Sequence, residues 1–263
     1  MTTELDFDAV VIGAGLTGLY QAYRLREMGY RVLGVEAAED IGGVWHHNRY
    51  PGCRIDSESE VYGYFWNEQL MQEWNWSERF AAQPEVLRYI HRAAEIMDIR
   101  KDFIFNAKVH QATFDDASNA WTLEFQQGHR APVTTRFVFS ALGPLSATQM
   151  PRIPGINTFK GESYHTAAWP RDPVGLGPAN LDFSNKRVAV IGTGSTGVQL
   201  IQEMAKVAKH LTVFLLEPNW CTPLGNGPMT QERMDYIKSH YNEFTAKCDA
   251  SIAGFPHEFD PRN

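Results

Sequence analysis

The sequence has no run of lysines or arginines, and its net charge is -7. That leaves no electrostatic footprint for nucleic acid or an anionic membrane surface. No apolar stretch approaches the roughly 18 residues a membrane helix needs; the first one, Ala9 to Ile12, stops at Gly13. The N-terminus, Met1-Thr2-Thr3-Glu4-Leu5-Asp6-Phe7-Asp8, is acidic and polar, where a secretory signal would be basic and then apolar. The three cysteines, Cys53, Cys221 and Cys248, lie far apart and form no C-x-x-C. Their spacing argues against a disulfide framework or a redox dithiol and for the reducing cytoplasm. His46 and His47 are adjacent, and no further ligand follows at a useful spacing, so no metal is expected. What remains is an ordinary globular composition, 43% hydrophobic and 21% charged over 263 residues, enough for one large domain or two modest ones.

Two similar patterns stand about 180 residues apart, too far for a short-period solenoid. The first is an apolar strand, Ala9 to Ile12, a glycine loop from Gly13 to Gly18, a helix to about Met28 ended by Gly29, and a strand from Arg31 to Glu36. The second is a strand from Arg187 to Ile191, a loop from Gly192 to Gly197, a helix to about Lys209, and a strand from Leu211 to Leu215. Between them a helix is expected over 83–98, strands over 104–114 and 120–126 around the polar turn Asp115 to Asn119, and a short strand from Phe137 to Ala141. The Pro- and Gly-rich stretch from Pro144 to Pro178 reads as a linker. A helix is expected over 230–248, and no clear structure over 254–263. The fold class is therefore α/β: two three-layer Rossmann-like dinucleotide-binding units, the first carrying a β-rich insertion. The expected domains are 1–143, a linker at 144–185, and an incomplete second nucleotide domain at 186–263.

Gly13-Ala14-Gly15-Leu16-Thr17-Gly18 sits where a nucleotide fingerprint should. The first glycine permits the tight turn, the second lets a pyrophosphate approach the backbone, and the third lets helix and strand pack. The helix N-terminus offers N–H groups and a positive dipole end. Glu36 stands 21 residues after Gly15, where a carboxylate accepts hydrogen bonds from a ribose hydroxyl. The bland alternative is a strand–helix turn with no ligand. The second glycine pair, in Gly42-Gly43-Val44-Trp45, suits the phosphates and ribityl chain of a flavin and tips the first site from NAD towards FAD.

These residues resemble a known family. The segment from Gly42 through Trp45-His46-His47-Asn48-Arg49-Tyr50-Pro51-Gly52-Cys53-Arg54-Ile55-Asp56 to Ser59 is similar to the one that follows the FAD loop in Baeyer–Villiger monooxygenases. The linker carries the F-x-G-x-x-x-H-x-x-x-W-P fingerprint of that family, here Phe159 to Pro170 with Gly161, His165 and Trp169. The resemblance runs from Phe7 to about Asn226 and looks nearest to the branch acting on large-ring or polycyclic ketones. It implies FAD at the first loop, held by Gly13, Gly15, Thr17, Gly18, Glu36, Gly43, Val44, Trp45, Asp56, Tyr62 and Val109. It implies a nicotinamide nucleotide at the second, held by Gly192, Gly194, Ser195, Thr196 and Gly197. The implied reaction takes O₂ and a ketone and inserts one oxygen atom beside the carbonyl, giving an ester or lactone. Asp56 would sit near the flavin as a catalytic support, and His165 would couple domain movement to the cofactor cycle rather than transfer protons. The pair Trp74 and Trp76 reads as packing.

The chain departs from the family twice. Where the family has Arg-Thr for the 2′-phosphate of NADPH, this sequence has Leu216-Glu217. A carboxylate repels a phosphate and suits a free 2′-hydroxyl, so Glu217 argues for NADH against the NADPH of the resemblance. The family is also roughly twice as long, so the chain reads as truncated, or as one half completed by a partner chain. Two alternatives stand beside the monooxygenase: a non-catalytic flavin- or nucleotide-binding remnant, and another two-nucleotide flavoprotein, of which a disulfide reductase would need the missing C-x-x-C.

Overall fold

Phe7-Asp8-Ala9-Val10-Val11-Ile12 is a continuous apolar run, and Ala9, Val10 and Val11 are fully buried, as a central parallel strand covered on both faces requires. The computed structural model describes residues 4–126, 130–145, 147–252 and 254–256. In chain order the elements are β1 (Phe7–Ile12), α1 (Leu16–Glu27), β2 (Val32–Val35), α2 (Val44–His47), α3 (Glu68–Glu73), α4 (Gln83–Met97), β3 (Phe103–Ile104) and β4 (Val109–Asp115). They continue with β5 (Ala120–Phe125), β6 (Val133–Ser140), β7 (Arg187–Ile191), α5 (Ser195–Val207), β8 (His210–Phe214), α6 (Gln231–Ser239) and α7 (Tyr241–Ala250). The chain divides into two compact units, residues 1–48 with 87–168, and residues 49–86 with 169–263. These units cut across the bounds expected from sequence: the segment after Asn48 joins the second glycine loop, and the Pro/Gly-rich stretch divides between Ala168 and Trp169.

The first unit is built on a six-stranded sheet in the order β3-β2-β1-β6-β5-β4. Its first four strands run parallel; β5 adds antiparallel to β6, and β4 antiparallel to β5. The expected β-rich insertion is this β4–β5 hairpin, which extends the main sheet. Asp115 closes its turn by accepting N–H bonds from Ala117 and Ser118. One core cluster joins Val10, Leu33, Val35, Ala107, Leu123 and Phe125. Helix α1 buries Gly18, Leu19, Ala22 and Leu25, spaced as one helical face. Gly29, at φ 87°, follows its end in the left-handed conformation.

The second unit holds a two-stranded parallel sheet, β7 with β8, and helices α3, α5, α6 and α7. Glu60, almost buried, forms a two-point ion pair with Arg233 of α6. Phe65 meets Phe244 of α7 edge-on, with ring centroids 6.1 Å apart. Trp76 is buried against Trp74, with centroids 5.7 Å apart, which fits the packing expected of that pair.

Several expected elements moved. The strand expected over 104–114 is interrupted at Asn106 (φ 52°); the Ala107 N–H turns to bond Glu36 O, and the strand resumes at Val109. The helix expected over 230–248 breaks at His240, because Ser239 and His240 side chains bond carbonyls of the preceding turn. The strand expected from Phe137 begins earlier, at Val133. The short helices α2 and α3 were not expected; α3 is capped by Asn67, which accepts the Leu70 N–H at 2.8 Å. Residues 257–263 of the expected unstructured tail lie outside the described residues.

Candidate functional site

The first glycine loop leaves β1 at Gly13, whose N–H bonds Val35 O of β2 at 2.8 Å. Gly13 has φ 109°, and a Cβ there would lie 2.5 Å from the Ala141 carbonyl oxygen. A Cβ on Gly18 would lie 1.8 Å from Gly13 O. Both glycines are therefore required by the protein itself. Gly15 is different. It is the N-cap of α1, has ordinary φ (-80°), and a Cβ there would meet only Gly43 Cα, at 3.5 Å. The protein leaves room at Gly15, so a backbone bare of side chain at that position fits a ligand that must come close.

Helix α1 starts with no side-chain cap and no acid in its first turn, leaving its positive end for an anion. Glu36, buried beyond the end of β2, accepts the Ala14 N–H at 2.7 Å through Oε2 and the Ala38 N–H at 2.8 Å through Oε1. The carboxylate thus fixes the glycine loop, and each oxygen keeps another lone pair for a ribose hydroxyl. The second glycine pair closes on the same loop: Gly42 N–H bonds Ala14 O at 2.9 Å, and Gly43, at φ 56°, faces Gly15. Val44 is exposed and Trp45 buried on the short helix α2, while Thr17 is exposed on the first turn of α1. Val109 opens β4 and packs against the core cluster. So Gly13, Gly15, Thr17, Gly18, Glu36, Gly43, Val44 and Trp45 gather around one loop in the first unit. Asp56, exposed, and Tyr62, half-buried, belong to the second.

His165 accepts the Ala167 N–H at Nδ1, 3.1 Å away, so Nε2 carries the proton and faces Gln149 O at 3.2 Å. Both ring nitrogens are engaged by backbone, an arrangement that shapes the chain.

The second loop repeats the first in register. Ile12 pairs with Val35 in one unit, and Ile191 with Phe214 in the other. The Gly192 N–H bonds Phe214 O at 2.8 Å, as Gly13 bonds Val35. A Cβ on Gly197 would lie 2.2 Å from Gly192 O, whereas nothing lies within 4 Å of one on Gly192 or Gly194. Gly194 is the N-cap of α5, again without a side-chain cap, and Ser195 and Thr196 follow in the first turn. This register puts Leu215 in the place of Glu36, and Glu217 two residues beyond it. Glu217 bends towards the loop by its backbone: its carbonyl lies 3.5 Å from Thr193 Oγ1, and Asn219 donates to Thr193 O. Leu216 and Trp220 are fully exposed.

Two residues of the second unit to which the sequence assigns no role, Tyr50 and Gln199, meet beside the second loop. The Tyr50 hydroxyl donates to Gln199 Oε1 at 2.8 Å and stands 3.4 Å from Thr196 Oγ1. Burial raises the pKa of Tyr50, and that of Cys53 to about 11, so both stay neutral. Gly52, at φ 84°, was the one available signal: a Cβ there would lie 2.8 Å from Gln199 O. Among the described residues no cluster of His, Cys, Asp or Glu could hold a metal ion, and no helix is long and apolar enough to cross a membrane.

Residues 11–71 match the family model of an NAD(P)-binding Rossmann-like domain. A 2-oxo-Delta(3)-4,5,5-trimethylcyclopentenylacetyl-CoA monooxygenase of Pseudomonas putida is 52% identical over 97% of this chain and 46% of its own length. A Baeyer–Villiger monooxygenase of Pseudooceanicola batsensis is 41% identical over 98% of this chain and 46% of its own. The crystal structure of OTEMO in complex with FAD and NADP superposes with a TM-score of 0.94 at 50% identity, covering 99% of this chain and 48% of that one. The chain spans about half the length of the curated relatives it matches.

Proposed function

We propose, on the premise that this chain belongs to the Baeyer–Villiger monooxygenases and spans about half of their length, that its first glycine loop holds FAD and its second a nicotinamide nucleotide. The reaction served is insertion of one oxygen atom from O₂ beside the carbonyl of a bulky cyclic ketone, giving a lactone. The observation that carries this reading is the room left at Gly15, faced by Gly43 and flanked by the Glu36 carboxylate. Bound FAD would supply the redox chemistry with O₂; the protein binds, orients and excludes water. The backbone at Gly15 and the N-terminus of α1 receive the pyrophosphate, and Glu36 receives a ribose hydroxyl while holding Ala14 in place. At the second loop the backbone at Gly194 and the N-terminus of α5 receive the pyrophosphate, and Gly197 lets helix and loop pack. Asp56 supports the reacting centre, and His165, held between Gln149 and Ala167, acts on the conformation of the linker.

Leu215 in the place of Glu36, Leu216 beside it and the carboxylate of Glu217 beyond favour a nucleotide without a 2′-phosphate. No cation occurs from Leu215 to Cys221, so a phosphate beside Glu217 would meet a like charge and no cation from that segment. The free cysteines suit the cytoplasm.

A second reading, one half of a split enzyme, is favoured by the β7–β8 sheet, where Ile191 and Phe214 are 61% and 56% exposed. A partner chain would then cover it. The test supplies the purified chain with FAD, NADH or NADPH and a panel of cyclic ketones. The expected result is flavin released on denaturation, NADH oxidised in preference to NADPH, and lactone well below about one per second. A chain that never holds flavin would overturn the first reading. Lactone at ordinary enzymatic rates would overturn the second.

A further inference from the structure

The backbone from Tyr50 to Arg54 is fastened at two places within the second unit. One is a short bridge of backbone bonds: Gln83 N–H to Cys53 O at 2.8 Å and Ile55 N–H to Ala81 O at 3.1 Å. The other is made by a side chain of α5. Gln199 accepts the Arg54 N–H at Oε1 (3.4 Å) and donates from Nε2 to Arg54 O (3.1 Å). An amide side chain can read a peptide group from both sides in this way; a carboxylate or an alkyl group cannot. Gly52 lets the two backbones close, since a Cβ there would also lie 2.9 Å from Glu203 Cγ. The Tyr50 phenol adds the link that matters. It is bonded to Gln199 and touches Thr196, which belongs to the glycine loop itself. Asp56 follows Arg54 by two residues and is exposed.

We propose that Tyr50 and Gln199 are positioning residues that make the segment from Tyr50 to Asp56 respond to a nucleotide at the second glycine loop. A pyrophosphate at the N-terminus of α5 would fix the first turn of that helix, Thr196 included, and with it Gln199. Gln199 carries both the Tyr50 phenol and the Arg54 peptide, and with them the approach to Asp56. The inference rests on the reading of that loop as a nicotinamide-nucleotide site. It adds a route by which the state of the second site reaches Asp56 within the same unit.

Hydrogen–deuterium exchange of the full chain, with and without NADH, tests it, and nucleotide binding is measured in parallel by calorimetry. In the wild type, NADH should slow exchange over 50–56 by about fivefold, the worth of one tightened hydrogen bond. In Gln199→Leu and Tyr50→Phe, NADH should still bind and still slow exchange over 192–198, and the slowing over 50–56 should vanish. If both variants keep it, or the wild type binds NADH with no change over 50–56, the inference is overturned while the nucleotide site stands. A wild type that binds neither NADH nor NADPH overturns both. Should Gln199→Leu fail to fold, Tyr50→Phe, which removes one hydroxyl, decides alone.

Discussion

β1 and β7 begin from nearly the same apolar run and share the same glycine-loop register, yet their burial diverges. Ala9, Val10 and Val11 are fully buried and Ile12 half-buried, whereas in β7 the counterparts Ala189 and Ile191 are exposed and only Val190 is buried. β1 has strand neighbours on both sides, and β7 among the described residues has one. Local sequence is enough to form the turn: Gly13 and Gly192 adopt φ 109° and 101° and bond equivalent carbonyls. The surroundings decide how much of the fold then leans on each glycine, because Ala141 closes over Gly13 and nothing closes over Gly192.

That difference gives the largest expected effect. Gly13→Val should unfold the chain or cost more than about 3 kcal/mol, because clash with Ala141 O adds to backbone strain. A Cβ at Gly192 has no neighbouring atom within 4 Å, so Gly192→Val should cost chiefly the backbone strain, about 1 to 2 kcal/mol. Equal losses in urea melts would mean that the two turns are supported alike.

Glu36 and Leu215 form the next pair. Glu36→Leu strands the buried Ala14 and Ala38 N–H groups and should cost about 2 to 4 kcal/mol, together with FAD binding. Leu215→Glu should leave stability within about 0.5 kcal/mol of wild type, since the site is exposed, and should tighten NADH. A Glu36→Leu protein that melts normally and holds flavin would remove the carboxylate from the account.

Nucleotide choice is the third contrast. Leu216→Arg should move preference from NADH towards NADPH by about tenfold, as a charge-assisted phosphate contact would. An unchanged ratio of kcat/KM, or of Kd if turnover is absent, would show that selection lies elsewhere.

The smallest effect is a pH dependence. The Cys53 thiol is raised from 9.0 to about 11 by burial, so the folded state withholds ionisation that the unfolded chain allows. Stability from this group is whole below pH 9 and falls as pH rises through 11, by about 3 kcal/mol at most. Melts at pH 8 and pH 10.5 should differ more in the wild type than in Cys53→Ser.

Both glycine turns, Glu36 and the parallel strands were legible because each depends on residues close in sequence. The home of residues 49–86 was not, since the contact between Tyr50 and Gln199 spans 149 positions and leaves only Gly52 as a trace. Glu217 entered through the family's Arg-Thr position; strand pairing makes Leu215, two residues earlier, the counterpart of Glu36, which only the register of β7 with β8 reveals. The break at His240 depends on side-chain bonds to the helix backbone that hydrophobic periodicity does not register.

Flavin binding by Gly15→Leu tests the central claim most directly. Gly15 has no protein atom nearer than Gly43 Cα, 3.5 Å from its would-be Cβ, so the variant should fold with a wild-type circular dichroism spectrum. The account predicts that the wild-type chain binds FAD and that this folded variant does not. FAD bound equally by both would contradict it.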